Sequence, residues 1–254
     1  LQIHPTAFVD SKAELGNGVS IGPYSIINSN VIIGNGTMIG NHVTIASGTR
    51  IGTECKVFHS SSIGEIPQDT KFGGELSSLS IGQNTTIREY CTINRGTKAS
   101  GSTAIGNNNL LMSYVHVAHD CIIGNDVIIA NGVQIGGHVE IDDSAIIGGS
   151  TPIHQFCKLG KYSFIGGGYR IVQDVPPFIK AMGEPLKYSG INSIGLKRNN
   201  FSEDVLRSIK KAYRIIYRSE YNILEAIKIL GDSCNQNKEI LKIIEFIKNS
   251  KRGI

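Results

Sequence analysis

A mainly β fold, built as a coil of very short parallel strands and closed by a small α-helical unit, is what this 254-residue sequence predicts. Three observations carry that reading. Every sixth residue from Ile3 to Ile171 is Ile, Leu or Val at 26 of 29 sites, the exceptions being Asp69, Glu75 and Ala99. The chain holds 30 glycines, well above the ~7% usual in soluble proteins, and 13 of them directly follow one of those aliphatic residues. After Asp174 the hexads stop at Pro176-Pro177, and apolar residues then recur at helical spacing.

A period of six fits neither a helix nor an ordinary alternating strand. It fits a short strand and a tight turn, with one aliphatic side chain pointing inward per hexad. Because strand side chains alternate, the residue two places earlier should also point inward. That slot holds small or β-branched residues throughout, among them Val19, Ser25, Thr37, Cys55, Cys91, Cys121 and Cys157. Four of the five cysteines are therefore expected in the core rather than in a disulfide framework or a metal ribbon. Asn17, Asn35, Asn41, Asn107, Asn125 and Asn131 occupy turns, where asparagine is expected to take left-handed backbone angles. The three aliphatic exceptions fall in stretches expected to be inserted loops, near 66–80 and 96–103. Residues 1–175 thus form the coil, and 176–254 a linker and C-terminal helical domain. Ser202 should cap one helix, with Glu203 and Asp204 in its first turn and Leu206, Ile209, Tyr213, Ile216 and Tyr217 along its face. A second helix is expected over 222–230, closed by Gly231, and a third over 238–248.

Charge is uneven. Residues 1–150 hold 7 Lys+Arg against 12 Asp+Glu, and 151–254 hold 18 against 9, so net charge passes from −5 to +9. An acidic partner for the C-terminal part is expected. Basic residues are not interleaved with aromatics along the repeat, which argues against nucleic-acid binding. No apolar run is long enough to span a bilayer, and the first ten residues lack a basic-then-apolar signal pattern. Neither integral membrane contact nor export is expected, and the location is read as cytoplasmic.

Residues that interrupt the repeat point to chemistry. With three hexads per turn, residues eighteen apart stack at strand spacing, ~4.8 Å. His119 then lies under Gly137, Gly137 under Gln155, and Asp120 under His138. His116 and His154 flank the same stack. Four of seven histidines on one edge suit general-base work near neutral pH. Clustered imidazoles also suit zinc, so a zinc-dependent, carbonic-anhydrase-like protein using His116-x-x-His119 is an alternative.

The triangular coil resembles the left-handed parallel β-helix of hexapeptide-repeat proteins, the hand being what the resemblance implies, since parallel crossovers are generally right-handed. Longer strings narrow the resemblance: Gly64-Glu65-Ile66-Pro67-Gln68-Asp69-Thr70-Lys71, Asn94-Arg95-Gly96-Thr97, His116-Val117-Ala118-His119-Asp120-Cys121, Ile146-Ile147-Gly148-Gly149, His154-Gln155-Phe156-Cys157, Gln173-Asp174-Val175-Pro176-Pro177 and Gly195-Leu196-Lys197-Arg198. In order, and over nearly the whole chain, they are similar to the acyl-carrier-protein–UDP-N-acetylglucosamine O-acyltransferase family, which begins lipid A biosynthesis.

That resemblance implies transfer of a long (R)-3-hydroxyacyl chain from acyl carrier protein to the 3-hydroxyl of UDP-N-acetylglucosamine, or to a 3-amino UDP-sugar. It implies no cofactor, no metal and no covalent intermediate. It makes His119 the general base, Asp120 its orienting partner and the Gly137 N–H the oxyanion donor. Gln68, Asp69 and Lys71 would hold the nucleotide sugar, and His116, His138 and His154 would position substrate. Gln155, Asn192 and Arg198 would make nucleotide or acyl contacts, and Gly167 would set acyl length. A homotrimer is implied, with sites between subunits. Acyl carrier protein would be the acidic partner, met by Lys158, Lys161, Arg170, Lys180, Arg207, Lys210, Lys211 and Arg214. Ile194 and Asn199 depart from the family pattern near the expected nucleotide contacts.

Overall fold

The computed structural model describes residues 1–233 and 237–254. The strands Gln2–Ile3, Phe8–Val9 and Glu14–Leu15 each start one of three sheets, of eleven, eight and eight strands. Along the coil each strand pairs in parallel with the strand three later, as in Gln2 with Ser20 and Ile3 with Ile21. Eighteen residues thus complete one turn of a triangular prism. Lys56 pairs with Thr86 and Thr86 with Leu110, so two turns are lengthened by about twelve and six residues, whole hexads in each case.

Both lengthened turns leave the same edge. The strands Ser62–Glu65 and Thr92–Asn94 belong to the second sheet, and the strands that follow, Ser78–Ile81 and Ser102–Ile105, to the third. The segments between them are 66–77 and 95–101. They end earlier than expected, because Ser78 to Ile81 already pair with Ser102 to Ile105 over four residues.

The aliphatic ladder fills the prism: Ile27, Ile45, Ile63, Ile93, Leu111, Ile129 and Ile147 have no exposed surface. Burying such a side chain stabilises by roughly 1.5–3 kcal/mol. The inward slot two residues earlier closes the edges. Ser25 Oγ donates to the Gly40 carbonyl at 2.7 Å and Thr37 Oγ1 to that of Gly52 at 2.8 Å. Cys55 and Cys121 make the corresponding weaker contacts to Gly82 and Gly136. Cys55, Cys91, Cys121 and Cys157 are buried and free, and burial pushes the Cys91 and Cys121 thiols up to about 11 and about 12. The fifth, Cys234, lies outside the described residues.

The turn asparagines behave differently from expectation. None of the six has a positive φ; the residue after each does, namely Gly18, Gly36, His42, Asn108, Asp126 and Gly132. Several of the asparagines bridge coils instead. The Asn17 N–H donates to Asn35 Oδ1 and the Asn107 N–H to Asn125 Oδ1, both at 2.8 Å. The Asn125 N–H continues that second ladder to Asp143 Oδ1. An amide side chain one residue before the left-handed position can reach the next coil's backbone, which is the property retained here. Glycine after the aliphatic answers a close approach: a Cβ on Gly34 would lie 2.6 Å from the Gly52 carbonyl carbon.

Beyond the prism the first sheet continues into a hairpin that periodicity did not anticipate. Ile179–Met182 runs parallel to Phe164–Ile165, and Lys187–Ile191 returns antiparallel. Among the described residues four helices follow: α1 (Ser193–Arg198), α2 (Glu203–Arg218), α3 (Ile223–Ser233) and α4 (Lys238–Lys248). Ser202 caps α2 as expected, its hydroxyl accepting from the Val205 N–H. Leu206, Ile209, Tyr213 and Ile216 are buried and Tyr217 half-buried. Gly231 does not close α3 but lies inside it; a single glycine costs a helix only about 1 kcal/mol, too little to end one held by packing. Helix α1 is too short for its periodicity to be read from sequence. No helix among the described residues is long and apolar enough to cross a membrane.

Candidate functional site

The site forms on the edge where the second sheet turns into the third. Three successive coils place the turn pairs His119-Asp120, Gly137-His138 and Gln155-Phe156 there. The strands leading in are stacked in register, His116 beside Gln134 and Gln134 beside Pro152. The His138 N–H donates to the His119 carbonyl, and the Phe156 N–H to that of Gly137. Asp120, His138 and Phe156 all have φ near +60°, so each turn projects its second side chain in the same way.

His119 lies against Gly137, as the eighteen-residue count required. A Cβ on Gly137 would come within 2.7 Å of His119 Cε1 and 2.9 Å of Nε2; only glycine leaves room for the ring. His119 Nδ1 is 2.8 Å from Asp120 Oδ2. Asp120 is buried, 4% exposed. Its Oδ1 accepts from the Thr97 N–H (2.9 Å) and the Ser100 hydroxyl, and its Oδ2 from the Thr97 hydroxyl (2.7 Å) as well as facing His119. Burial alone would raise the carboxyl's pKa; the Ser100, Thr97 and His119 hydrogen bonds outweigh it and hold the group well below the usual carboxylate range. With Nδ1 committed to an ionised partner, His119 presents Nε2 as its proton acceptor.

His138 stacks on Phe156, centroids 4.5 Å apart at 7°, and stands edge-on to His119 at 5.2 Å. Its Nε2 is 3.6 Å from Asp120 Oδ2, close enough for charge attraction but longer than a hydrogen bond. His116 Nδ1 is 2.7 Å from Thr92 Oγ1. Burial, and then the charge of His119, lower the His116 pKa. Among the described residues, His119, Asp120 and His138 are the set whose ligand atoms lie within 4.8 Å of one another, a different set from the His116/His119 pair that the zinc alternative used.

The other expected site residues lie on this edge, on the longer loop, on another edge and at the start of the helical part. His154 and Gln155 are exposed two coils on, the His154 ring near the Gln155 carbonyl. Gln68, Asp69 and Lys71 lie on the twelve-residue loop, where Asp69 Oδ1 accepts the Lys71 N–H. That loop is tied to the loop 95–101 by Glu75, whose Oε1 accepts the Lys98 N–H at 3.0 Å. Gly167 sits on a different edge, between the first and second sheets, where a Cβ would meet the Gly149 carbonyl at 3.0 Å. Asn192 is spent on structure: its Oδ1 accepts the Gly195 N–H as the cap of α1, and its Nδ2 donates to the Tyr162 carbonyl. Arg198 ends α1 and is exposed; Asn199 caps the same helix.

Thr97 and Ser100 were missed by sequence reasoning. The signal was partial: Thr92 pairs with His116, an interval of twenty-four, and Ala104 with Ile122, an interval of eighteen. The insertion therefore falls under the His119-Asp120 turn, but periodicity does not say which inserted side chains meet Asp120.

A triangular hexapeptide coil carrying a histidine–carboxylate dyad on one edge defines a transferase of the hexapeptide-repeat class. A family model described as bacterial transferase hexapeptide (six repeats) matches residues 12–47 and 102–137, and one described as UDP N-acetylglucosamine O-acyltransferase, domain 2, matches 174–254. The acyl-[acyl-carrier-protein]–UDP-N-acetylglucosamine O-acyltransferase of Thiobacillus denitrificans is 46% identical over 253 residues, covering 99% of this chain and 98% of that protein. The solved structure of LpxA, a UDP-N-acetylglucosamine acyltransferase, from Bacteroides fragilis is 47% identical and superimposes with a TM-score of 0.97, covering 99% of this chain and 98% of its own. LpxA from Acinetobacter baumannii gives 42% identity and a TM-score of 0.96, over 99% and 98% of the two chains. The chain belongs to the acyl-[acyl-carrier-protein]–UDP-N-acetylglucosamine O-acyltransferase family, and its prism is the left-handed parallel β-helix of that family.

Proposed function

We propose that this enzyme moves a long (R)-3-hydroxyacyl chain from acyl carrier protein to the 3-hydroxyl of UDP-N-acetylglucosamine, the first step of lipid A biosynthesis. The observation that carries the mechanism is the buried His119–Asp120 dyad laid against Gly137. His119 Nε2 takes the proton of the sugar hydroxyl as its oxygen attacks the thioester carbonyl carbon. Negative charge gathers on the carbonyl oxygen, where the Gly137 N–H donates to it. As the C–S bond breaks, the imidazolium returns its proton to the departing thiolate. Asp120 stays ionised throughout and steadies the imidazolium.

Substrate is held on both sides of the dyad. Gln68, Asp69 and Lys71 reach the nucleotide sugar from the twelve-residue loop, the lysine as a point charge for the diphosphate. His116, His138, His154 and Gln155 line the same edge and position the two substrates. Gly167, Asn192 and Arg198 act from a second subunit of a homotrimer, a reading favoured by the place of Gly167 on another edge of its own coil. Gly167, without a side chain, admits a long acyl chain. The basic half, residues 151–254, attracts the acidic acyl carrier protein, and the enzyme works in the cytoplasm.

The test is transfer from 3-hydroxyacyl-acyl carrier proteins to UDP-N-acetylglucosamine and to its 3-amino analogue, for wild type and His119→Ala. Loss of a general base costs about 10²–10⁴-fold in kcat, with circular dichroism and sedimentation unchanged. A variant that keeps full activity would remove His119 from the mechanism, and exclusive use of the amino sugar would replace the acceptor.

A further inference from the structure

We infer that Thr97 and Ser100 are positioning residues: the loop 95–101 exists on this edge to clamp the Asp120 carboxylate onto His119 and away from His138. The inference rests on His119 being the base. Two imidazoles compete for one carboxylate oxygen. His119 Nδ1 stands 2.8 Å and His138 Nε2 3.6 Å from the same Oδ2. A small rotation of the carboxylate would exchange them. Four contacts oppose that rotation. The Thr97 N–H and the Ser100 hydroxyl hold Oδ1, and the Thr97 hydroxyl shares Oδ2 with His119. Below the carboxylate, the Asp120 N–H is held by Thr103 Oγ1 at 2.9 Å.

Elsewhere along the coil this fixing is done differently. The turn amides of Tyr114, Asp126 and His138 donate to a backbone carbonyl in the preceding coil. At Asp120 the N–H donates to the Thr103 hydroxyl instead, and the loop hydroxyls of Thr97 and Ser100 donate to the carboxylate. The loop itself is fastened from its other side by Glu75, which accepts the Lys98 N–H. Without the two hydroxyls, the buried carboxylate would keep the Thr97 N–H and whichever imidazole turned toward it. His119 would then hold its proton on Nδ1 for only part of the time. Nε2 would be a proton acceptor for only that fraction of encounters.

The experiment compares Thr97→Val, Ser100→Ala, the double variant and Thr97→Ser, each in the intact protein. A histidine base that is present but poorly oriented should lose about 10–100-fold in kcat for the double variant, with KM for UDP-N-acetylglucosamine within about two-fold. Thr97→Ser should restore the single-site loss. Nitrogen-15 NMR of histidine-labelled protein should report the Nδ1–H tautomer of His119 in wild type and a mixture in the double variant. A rise in KM at unchanged kcat would overturn the inference and give the loop to substrate binding instead; so would an unchanged tautomer signal. Should the double variant not fold, Ser100→Ala alone decides, because Ser100 is exposed and its loss removes one hydroxyl from Oδ1. An inactive His119→Ala beside a fully active double variant would sink the clamp and leave the base in place. An active His119→Ala would sink both.

Discussion

Asp120 and Asp126 lie six residues apart in one coil, at the same left-handed turn position, with φ of 60° and 57°. One is buried beneath an inserted loop and meets four donors; the other is exposed. The backbone therefore does not distinguish a buried, hydrogen-bonded carboxylate from an exposed one. The difference comes from the coil below. Under Asp126 the turn is plain, and the Asp126 N–H finds the Asn107 carbonyl. Under Asp120 the chain detours through residues 95–101 and returns with Thr97, Ser100 and Thr103. The same turn occurs a third time in this coil at Tyr114, which is exposed and stacks on Tyr90 at 5.1 Å. A repeat scaffold thus offers many equivalent turns, and an insertion of one hexad converts one of them into a site.

The sharpest way to break this comparison is to neutralise each aspartate. Asp120→Asn should lower kcat by about 10²–10³-fold, whereas Asp126→Asn should leave it unchanged. The pH dependence of stability should separate them too. A carboxylate whose folded pKa is depressed contributes stability above the unfolded value of ~3.9, and that contribution is lost as pH falls through the lower folded value. The gap in Tm between wild type and Asp120→Asn should therefore be widest near neutrality and narrow below about pH 4. A gap that widened in acid would contradict the depressed pKa of Asp120.

What the sequence made legible follows the same division. The prism was readable because burial selects one residue in six: the ladder from Ile21 to Ile165 is buried throughout, and phase survives both insertions. The stacking of His119 on Gly137 was readable by counting. Asp120's partners were not, because inserted residues carry no periodic constraint and the string that holds Thr97 has no repeat to place it in space. The hairpin from Ile179 to Ile191 was missed since it holds antiparallel pairs inside a sheet that is otherwise parallel. The asparagine expectation failed by one residue: turn propensity says that a residue belongs to a turn, not which of two positions it takes.

A second contrast sets two glycines against each other. A Cβ on Gly137 would press on the His119 ring, and a Cβ on Gly34 on the Gly52 and Thr53 backbone. A ring can tilt; a backbone in a stacked coil cannot. Gly137→Ala should therefore cost kcat about ten-fold or more through misplacement of the base, with little change in Tm. Gly34→Ala should lower stability by about 1–3 kcal/mol and leave the kcat of the folded fraction intact. Activity retained by Gly137→Ala would mean that His119 does not work from the position it holds against Gly137.

The smallest effect is expected on the edge of the asparagine ladder, away from the His119–Asp120 dyad. Asn125 accepts the Asn107 N–H and donates from Nδ2 to Asp143 Oδ1 at 3.1 Å. It has the same place in its turn as His119 has in the turn before it. Asn125→Ala leaves the Asn107 N–H without that acceptor, but this edge is only half-buried, and water can replace the amide. A loss of about 1 kcal/mol is expected, read as a shift in the denaturation midpoint at unchanged slope, with kcat and KM unaltered. If Asn125→Ala lowered kcat at full occupancy of the folded state, strain would be passing around the coil from one turn to the next. The independence of equivalent turns, on which the comparison of Asp120 with Asp126 depends, would then be lost.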